Sequence, residues 1–150
     1  MKPTDRITAS VEVAVNPQAA FHIFTAEIDA WWKRGPHNFY DSKRAVAMRF
    51  EPGVGGRYLE VYDEAKGDVL EIARITLWEP GRRLVWRMSL DDTEVDVRFE
   101  AVPGGTRVSL EQRMVAGGKK ADFYSGWHNI LGWFRDRAGL LKGKSAEATR

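Results

Sequence analysis

Cysteine is absent from all 150 positions of this chain. Its absence excludes a disulfide framework, a thiolate metal site and a cysteine nucleophile, so the core is expected to hold by packing. No apolar run approaches the ~20 residues of a membrane span. The N-terminal stretch MKPTDRITASVEV also lacks the continuous apolar core of a signal peptide. We therefore expect a cytoplasmic protein with no membrane partner.

The chain also has little excess of either charge, because 23 basic and 21 acidic residues leave a formal net charge of only +2. This balance gives no overall field for nucleic acid. The locally basic tail from Arg135 onward has no interleaved aromatic residue for base stacking, so we predict no nucleic-acid partner. Apolar residues at 43% indicate one globular domain over residues 1–150. We expect an ordered core over about 7–140 and a flexible tail over 142–150.

One long amphipathic helix is predicted over Asp122–Leu141. Its apolar positions recur every three to four residues, whereas polar and small residues occupy the opposite side. Three large aromatic rings within three turns require a broad concave cover. The apolar positions are Phe123, Trp127, Ile130, Leu131, Phe134 and Ala138.

The N-terminal part alternates strictly from Ile7 to Val15, which predicts a half-buried strand. Asn16 followed by Pro17 is typical of a helix start, with Asn16 as the N-cap. A second short helix, restarting at Thr25 or Asp29, is expected to end at Gly35-Pro36.

About six antiparallel strands follow, separated by Gly- and Pro-containing turns. Along Val69–Trp78 two inward sets compete, and a bulge that switches faces would explain the ambiguity. The sets are Leu70/Ile72/Trp78 and Val69/Ile75/Leu77. The order of elements predicts an α+β fold: a curved antiparallel sheet of six to seven strands wrapped around the C-terminal helix, with two short helices after strand 1.

Several short pieces of the chain occur in an order that resembles the activator of heat-shock-protein-90 ATPase homologue family, within the START-like, birch-pollen-allergen-like superfamily (SRPBCC). The resemblance spans about residues 7–140 and implies a helix-grip fold. Its members include ligand carriers, cyclases and chaperone regulators, so fold alone does not select the function. The pieces are Pro17 with FHIFT at 21–25, Trp31-Trp32, FEPGVGGRY at 50–58, WEPGRRLVW at 78–86, GTRV at 105–108 and Gly126-Trp127.

A helix laid across a bent sheet leaves a cavity where the sheet curves away, and a small apolar ligand would enter there. The alternative is that the same aromatic residues fill this space as core. Candidate ligand-binding residues are Trp31, Trp32, Phe39, Tyr58, Glu60, Trp86, Met88, Phe99, Trp127, His128 and Leu131.

Glu60 and Arg74 are the polar residues of most interest on the strands. Each could anchor a ligand, they could pair with each other, or a shifted register could leave both in solvent. His128, next to Trp127, is the histidine expected to meet the cavity.

Catalytic and metal signatures are missing. The three histidines His22, His37 and His128 show no HExxH pattern, Ser125 has no G-x-S-x-G elbow, and the glycines at 53–56 join two strands. We expect no metal and no cofactor. The leading hypothesis is non-catalytic binding of a small apolar molecule. The alternatives are a cyclase-type enzyme using the same cavity, and a protein-interaction module, either chaperone-associated or a homodimer.

Overall fold

The computed structural model describes residues 6–118 and 126–148. Within them, seven strands form one antiparallel sheet and three helices pack with it, as the sequence predicts. In chain order the elements are β1 (Arg6–Val13), α1 (Pro17–Ala26), α2 (Ile28–Trp31), β2 (Ala47–Phe50), β3 (Arg57–Asp63), β4 (Asp68–Glu79), β5 (Arg83–Met88), β6 (Thr93–Val102), β7 (Gly105–Met114) and α3 (Trp127–Ala148).

The sheet has the order β1-β7-β6-β5-β4-β3-β2. Strands β2 to β7 form a meander, since each strand from β3 to β7 pairs with the one before it. At two of the tight turns the backbone takes a positive φ at Gly81 (76°) and Gly104 (84°), a conformation that favours glycine. Strand β1 lies at the opposite edge from β2 and pairs with β7, where Ser10 faces Ser109. The two short helices therefore carry the chain from one edge of the sheet to the other.

Helix α1 begins as its sequence predicts. The Asn16 side chain accepts a hydrogen bond of 2.8 Å from the backbone N–H of Ala19, and Pro17 occupies the first turn. Helix α2 begins at Ile28 rather than at Thr25 or Asp29, because Thr25 still belongs to α1 and its hydroxyl donates to the carbonyl of Phe21.

Helix α3 lies against the concave face of the sheet and closes the core. Leu131, Phe134 and Ala138 are fully buried, and the Phe134 ring meets that of Phe24 edge-on at 5.3 Å. The predicted apolar face is confirmed over the described residues, whereas Phe123 and the predicted start at Asp122 lie outside them. The helix ends at Ala148 rather than near Leu141, so residues 142–148 are helical. None of the helices in the described ranges is long and apolar enough to cross a membrane.

Strand β4 resolves the ambiguity between its two inward sets by switching faces twice. The pairing with β3 skips a residue between Ala73 and Glu71, and the pairing with β5 skips one between Ile75 and Leu77. Members of both predicted sets consequently reach the core: Leu70, Ile72, Ile75 and Trp78. The predicted bulge is confirmed, and bulges of this kind bend and twist a strand.

Candidate functional site

A cavity of about 430 Å³ lies between the inner face of the sheet and the first turns of α3. Strands β2 to β5 and β7 supply its floor, α3 supplies its roof, and the loop after α2 forms one side. The lining residues are Trp32, His37, Asn38, Phe39, Tyr40, Met48, Tyr58, Glu60, Ile72, Trp86, Met88, Asp91, Gln112, Gly126, Trp127, Asn129, Ile130 and Trp133.

The cavity exists because α3 packs closely along only part of its length. Leu131, Phe134 and Ala138 are fully buried, whereas Trp127 and Ile130, near the start of the helix, are only half-buried. Strand β4, which lines this end of the cavity, carries two bulges, and bulges bend a strand. Geometry therefore places the core under the middle of α3 and the open space under its first two turns.

Aromatic rings form much of the wall, and they brace one another. Tyr58 stacks on Phe50 with ring centroids 4.3 Å apart, and Trp86 lies 5.5 Å from Tyr58. Trp127 on α3 approaches Trp86 to 6.1 Å. At the side, Trp32 and Trp133 meet edge-on at 5.8 Å. Such contacts fix the ring orientations, so the shape of the cavity is largely preformed.

Hydrogen bonds fix the indole rings of two lining tryptophans, Trp127 on α3 and Trp32 at the end of α2. The Trp127 indole Nε1 donates to Gln112 Oε1 on β7 at 2.8 Å, and Gln112 Nε2 donates in turn to Thr93 Oγ1 at 2.9 Å. The Trp32 Nε1 donates to the carbonyl of Asn38 at 2.7 Å, which ties the loop after α2 to the end of that helix.

Glu60 is fully buried, and its carboxylate anchors the loop beside the cavity. It accepts hydrogen bonds from the backbone N–H groups of Tyr40 (2.8 Å) and Asp41 (2.9 Å) and from the hydroxyl of Tyr62 (2.5 Å). Burial, then the hydrogen bond to Glu60, raises the pKa of the Tyr62 hydroxyl, so that it remains a donor. Arg74 is instead exposed and pairs with Glu71. The alternative in which Glu60 and Arg74 pair with each other is therefore wrong, and the alternative that leaves both in solvent holds for Arg74 but not for Glu60.

Three other polar groups of the wall have hydrogen-bonding capacity to spare within the described part of the chain. The indole Nε1 of Trp86 is buried without a partner. No described residue hydrogen-bonds the hydroxyl of Tyr58, and the recorded bonds of the Asp91 carboxylate, both from Thr93, use Oδ1 alone. Burial, then the nearby Tyr40 and Glu60, raises the pKa of the Tyr58 hydroxyl, which therefore stays protonated.

Seven of the eleven candidate ligand-binding residues line the cavity: Trp32, Phe39, Tyr58, Glu60, Trp86, Met88 and Trp127. Trp31, Phe99 and Leu131 do not. They lie in the core, where the Trp31 Nε1 donates to the carbonyl of Ile23 at 3.0 Å and Phe99 packs against Phe21 and Phe24. The expectation for His128 is also wrong, because its side chain is exposed and the histidine at the cavity is His37.

Sequence reasoning missed several lining residues, and for one the signal was present. Gln112 follows Val108 and Leu110 at the two-residue period of an inward strand face, which would have placed it on the wall. Trp133 and Asp91 had no such signal. Their positions follow from the tilt of α3 and from the turn between β5 and β6, neither of which periodicity specifies. No group of acidic, histidine or cysteine side chains within residues 6–118 and 126–148 is arranged to hold a metal ion.

Comparison with known proteins shows a match to one protein family. The family model described as activator of Hsp90 ATPase homolog 1-like protein matches residues 14–137. No curated protein sequence is significantly similar to the chain.

Solved structures share the fold at low sequence identity. Protein NE0264 from Nitrosomonas europaea is 14% identical with a TM-score of 0.65, over 97% of this chain and 99% of that one. An AHSA1-like protein from Aeromonas hydrophila is 22% identical with a TM-score of 0.63, over 92% and 94%. DynU16, a protein in the dynemicin biosynthetic locus, is 17% identical with a TM-score of 0.61, over 89% of this chain and 47% of that one. At these identities the likeness shows the fold alone.

Proposed function

The chain belongs to the activator of Hsp90 ATPase homolog 1-like family, and we propose that it binds a small, mainly apolar molecule, without catalysis, in the cavity under the first turns of α3. The observation that carries the proposal is the aromatic cavity of about 430 Å³. Small-molecule sites are typically clefts of roughly 300–1,000 Å³ with apolar walls and a few polar groups. Proteins of this fold commonly bind hydrophobic ligands, which supports the proposal without naming the ligand.

The half-buried residues of the wall give the binding its driving force. Trp127, Trp133 and Met88 each keep part of their apolar surface uncovered, and each faces the same space. A ligand that covers this surface gains roughly 25 cal/mol for each Å² of apolar area removed from water. Because the rings are already braced, little of that gain is lost in ordering the site.

The experiment is a fluorescence titration with N-phenyl-1-naphthylamine, an uncharged apolar dye, together with thermal melting. Met88→Trp should place a larger ring in the cavity and weaken binding at least tenfold. Leu90→Trp is the matched control, because Leu90 lies two residues further along and is 45% exposed outside the cavity. At dye concentrations a hundredfold above the dissociation constant, stabilisation should reach about 2.7 kcal/mol.

Two results would contradict the proposal. One is equal binding by the wild-type protein and both variants, which would locate the dye outside the cavity. The other is the absence of saturable binding or thermal stabilisation with this dye and with naphthalene and indole as smaller probes.

A cyclase-type enzyme acting in the same cavity is the second candidate, favoured by the spare hydrogen-bonding capacity of Asp91 and Tyr58. A carboxylate could remove a proton next to a carbonyl. The resulting carbanion attacks a second carbonyl of the same molecule, and a phenol protonates the alkoxide before water is lost. Asp91→Asn and Tyr58→Phe should each slow ring formation from a synthetic poly-β-carbonyl thioester, measured by absorbance, whereas His128→Ala should not. Ring formation at the uncatalysed rate with the wild-type protein would exclude this activity.

A further inference from the structure

We propose that the cavity selects its ligand by charge, accepting uncharged or cationic ring compounds and rejecting anionic ones. This inference rests on the proposed function and specifies the chemical class of its ligand. Four features of the cavity carry it: the sign of the charged groups on the wall, the way in which nearby arginines are engaged, the aromatic faces, and a protonated donor.

The ionisable groups that line the cavity include two carboxylates and no lysine or arginine among the described residues. The carboxylates belong to Glu60 and Asp91, and the other titratable lining groups are His37, Tyr40 and Tyr58. Glu60 accepts only from backbone N–H groups and a phenol, so its position is fixed without any recorded cationic partner. The wall is therefore acidic, and an anionic ligand would meet repulsion in a site where water screens poorly.

Arginines of the surrounding segments do not offset this sign, because each is engaged with a carboxylate of its own. Arg34 pairs with Asp29 at 3.0 Å, and Arg44 pairs with Asp68. Arg87 pairs with the Asp92 carboxylate at 3.2 Å and donates to the backbone carbonyl of Asp91 at 2.8 Å. None of these three arginines lines the cavity.

The aromatic rings act in the same direction as the carboxylates. Ring faces carry the negative part of the aromatic quadrupole, so they attract ammonium groups and stack well on flat uncharged rings. Four tryptophans and two tyrosines contribute to the wall: Trp32, Trp86, Trp127, Trp133, Tyr40 and Tyr58.

Uncharged ligands also find a hydrogen-bond donor. The Tyr58 hydroxyl belongs to a lining residue, has no hydrogen-bond partner among the described residues and is held protonated by burial. A carbonyl or ether oxygen on a ring compound would complement this donor without introducing a charge. Asp91 Oδ2 offers the converse, an acceptor for an ammonium or hydroxyl group.

The test is a calorimetric titration with three compounds of nearly equal size that differ in charge: 1-naphthylmethylamine, 1-naphthylmethanol and 1-naphthoate, at pH 7 and low salt. We expect the amine and the alcohol to bind at least tenfold more tightly than the carboxylate. Asp91→Asn should lower the ratio of amine to alcohol affinity at least threefold. Asparagine keeps the acceptor that Thr93 uses, so the turn should survive, and the melting temperature checks this.

Glu100→Gln is the matched control, because it removes one negative charge from an exposed position outside the cavity. Equal or tighter binding of 1-naphthoate would overturn the inference, as would an affinity ratio that responds equally to Asp91→Asn and Glu100→Gln. If the three naphthalenes fail to bind while N-phenyl-1-naphthylamine binds, the ligand class is wrong but the proposed function stands. If the dye fails as well, the proposed function falls with it.

Discussion

Two neighbouring residues of α3 provide a direct test of whether the space beneath the helix is a cavity or core. Leu131 is fully buried beside the core, whereas Ile130 is half-buried and lines the cavity. Replacing either residue with alanine removes three carbon atoms from the same helix. The two variants therefore differ mainly in the surroundings of the lost atoms.

The expected free energies follow from those surroundings. Full burial of three carbon atoms contributes about 2.4 kcal/mol at about 0.8 kcal/mol each. Leu131→Ala should lose that amount and also leave a closed void, for a total of about 3–5 kcal/mol. Ile130→Ala should lose about half of the burial term and create no new void, because its side chain already borders open space. We expect a loss of about 1 kcal/mol, partly offset by the better helix propensity of alanine.

Urea unfolding followed by circular dichroism measures both free energies, and an unchanged dependence on urea concentration checks that the transitions remain comparable. Thermal melting should show the same order, since 1 kcal/mol shifts the melting temperature of a domain this size by about 2–4 °C. Losses that agree within about 0.5 kcal/mol would refute the reasoning, because Ile130 would then be packed as tightly as Leu131.

Two further predictions concern the surface and the turns. The pKa of Glu51 is lowered to about 2 by its hydrogen bonds with Arg57, so its stabilising effect should be complete above pH 4.5 and lost as the pH falls towards 2. Between pH 4.5 and 2 the free energy of unfolding should thus fall less in Glu51→Gln than in the wild-type protein. An equal fall in the two proteins would contradict this prediction. Gly105→Ala should destabilise the protein at least about 1 kcal/mol more than Gly104→Ala in urea unfolding. A Cβ at 105 would lie 1.9 Å from the carbonyl oxygen of Val13, whereas a Cβ at 104 meets only the strain of a positive φ; the reverse order would disprove this.

The fold could be predicted because each element carries its own local signal. Asn16 and Pro17 specify the start of α1, and the strict alternation from Ile7 to Val15 specifies the inward face of β1. Even the uncertainty along β4 was informative, since two overlapping periodic sets are what a strand with bulges produces. The end of α3 was harder to predict, because Gly143 and the small polar residues after Leu141 are typical of a helix end, yet the helix continues to Ala148.

The candidate site was harder to predict because it depends on distances between elements rather than on patterns within them. Trp31 and Trp32 are adjacent and chemically alike, yet one points into the core and the other lines the cavity. Leu131 and Ile130 divide in the same way. Adjacent helix positions point in directions about 100° apart, so the rotation of the helix about its axis decides which residue enters the core and which lines the cavity. Packing against the sheet sets that rotation. The environment of Glu60 was ambiguous for the same reason, since its carboxylate is bound by the backbone of Tyr40, twenty residues earlier in the chain.

The pairing of β1 with β7 has a consequence for how the chain acquires its structure during synthesis. Glu12 and Arg107 form an ion pair across these strands although 95 residues separate them. The hairpins from β2 to β7 can close one after another as the chain leaves the ribosome, but β1 emerges first and must wait for the last strand. Until then the backbone N–H and C=O groups of β1 are unpaired and can pair with an incorrect strand. A nascent chain stalled before β7 should therefore bind holding chaperones through β1, and release them once β7 is exposed.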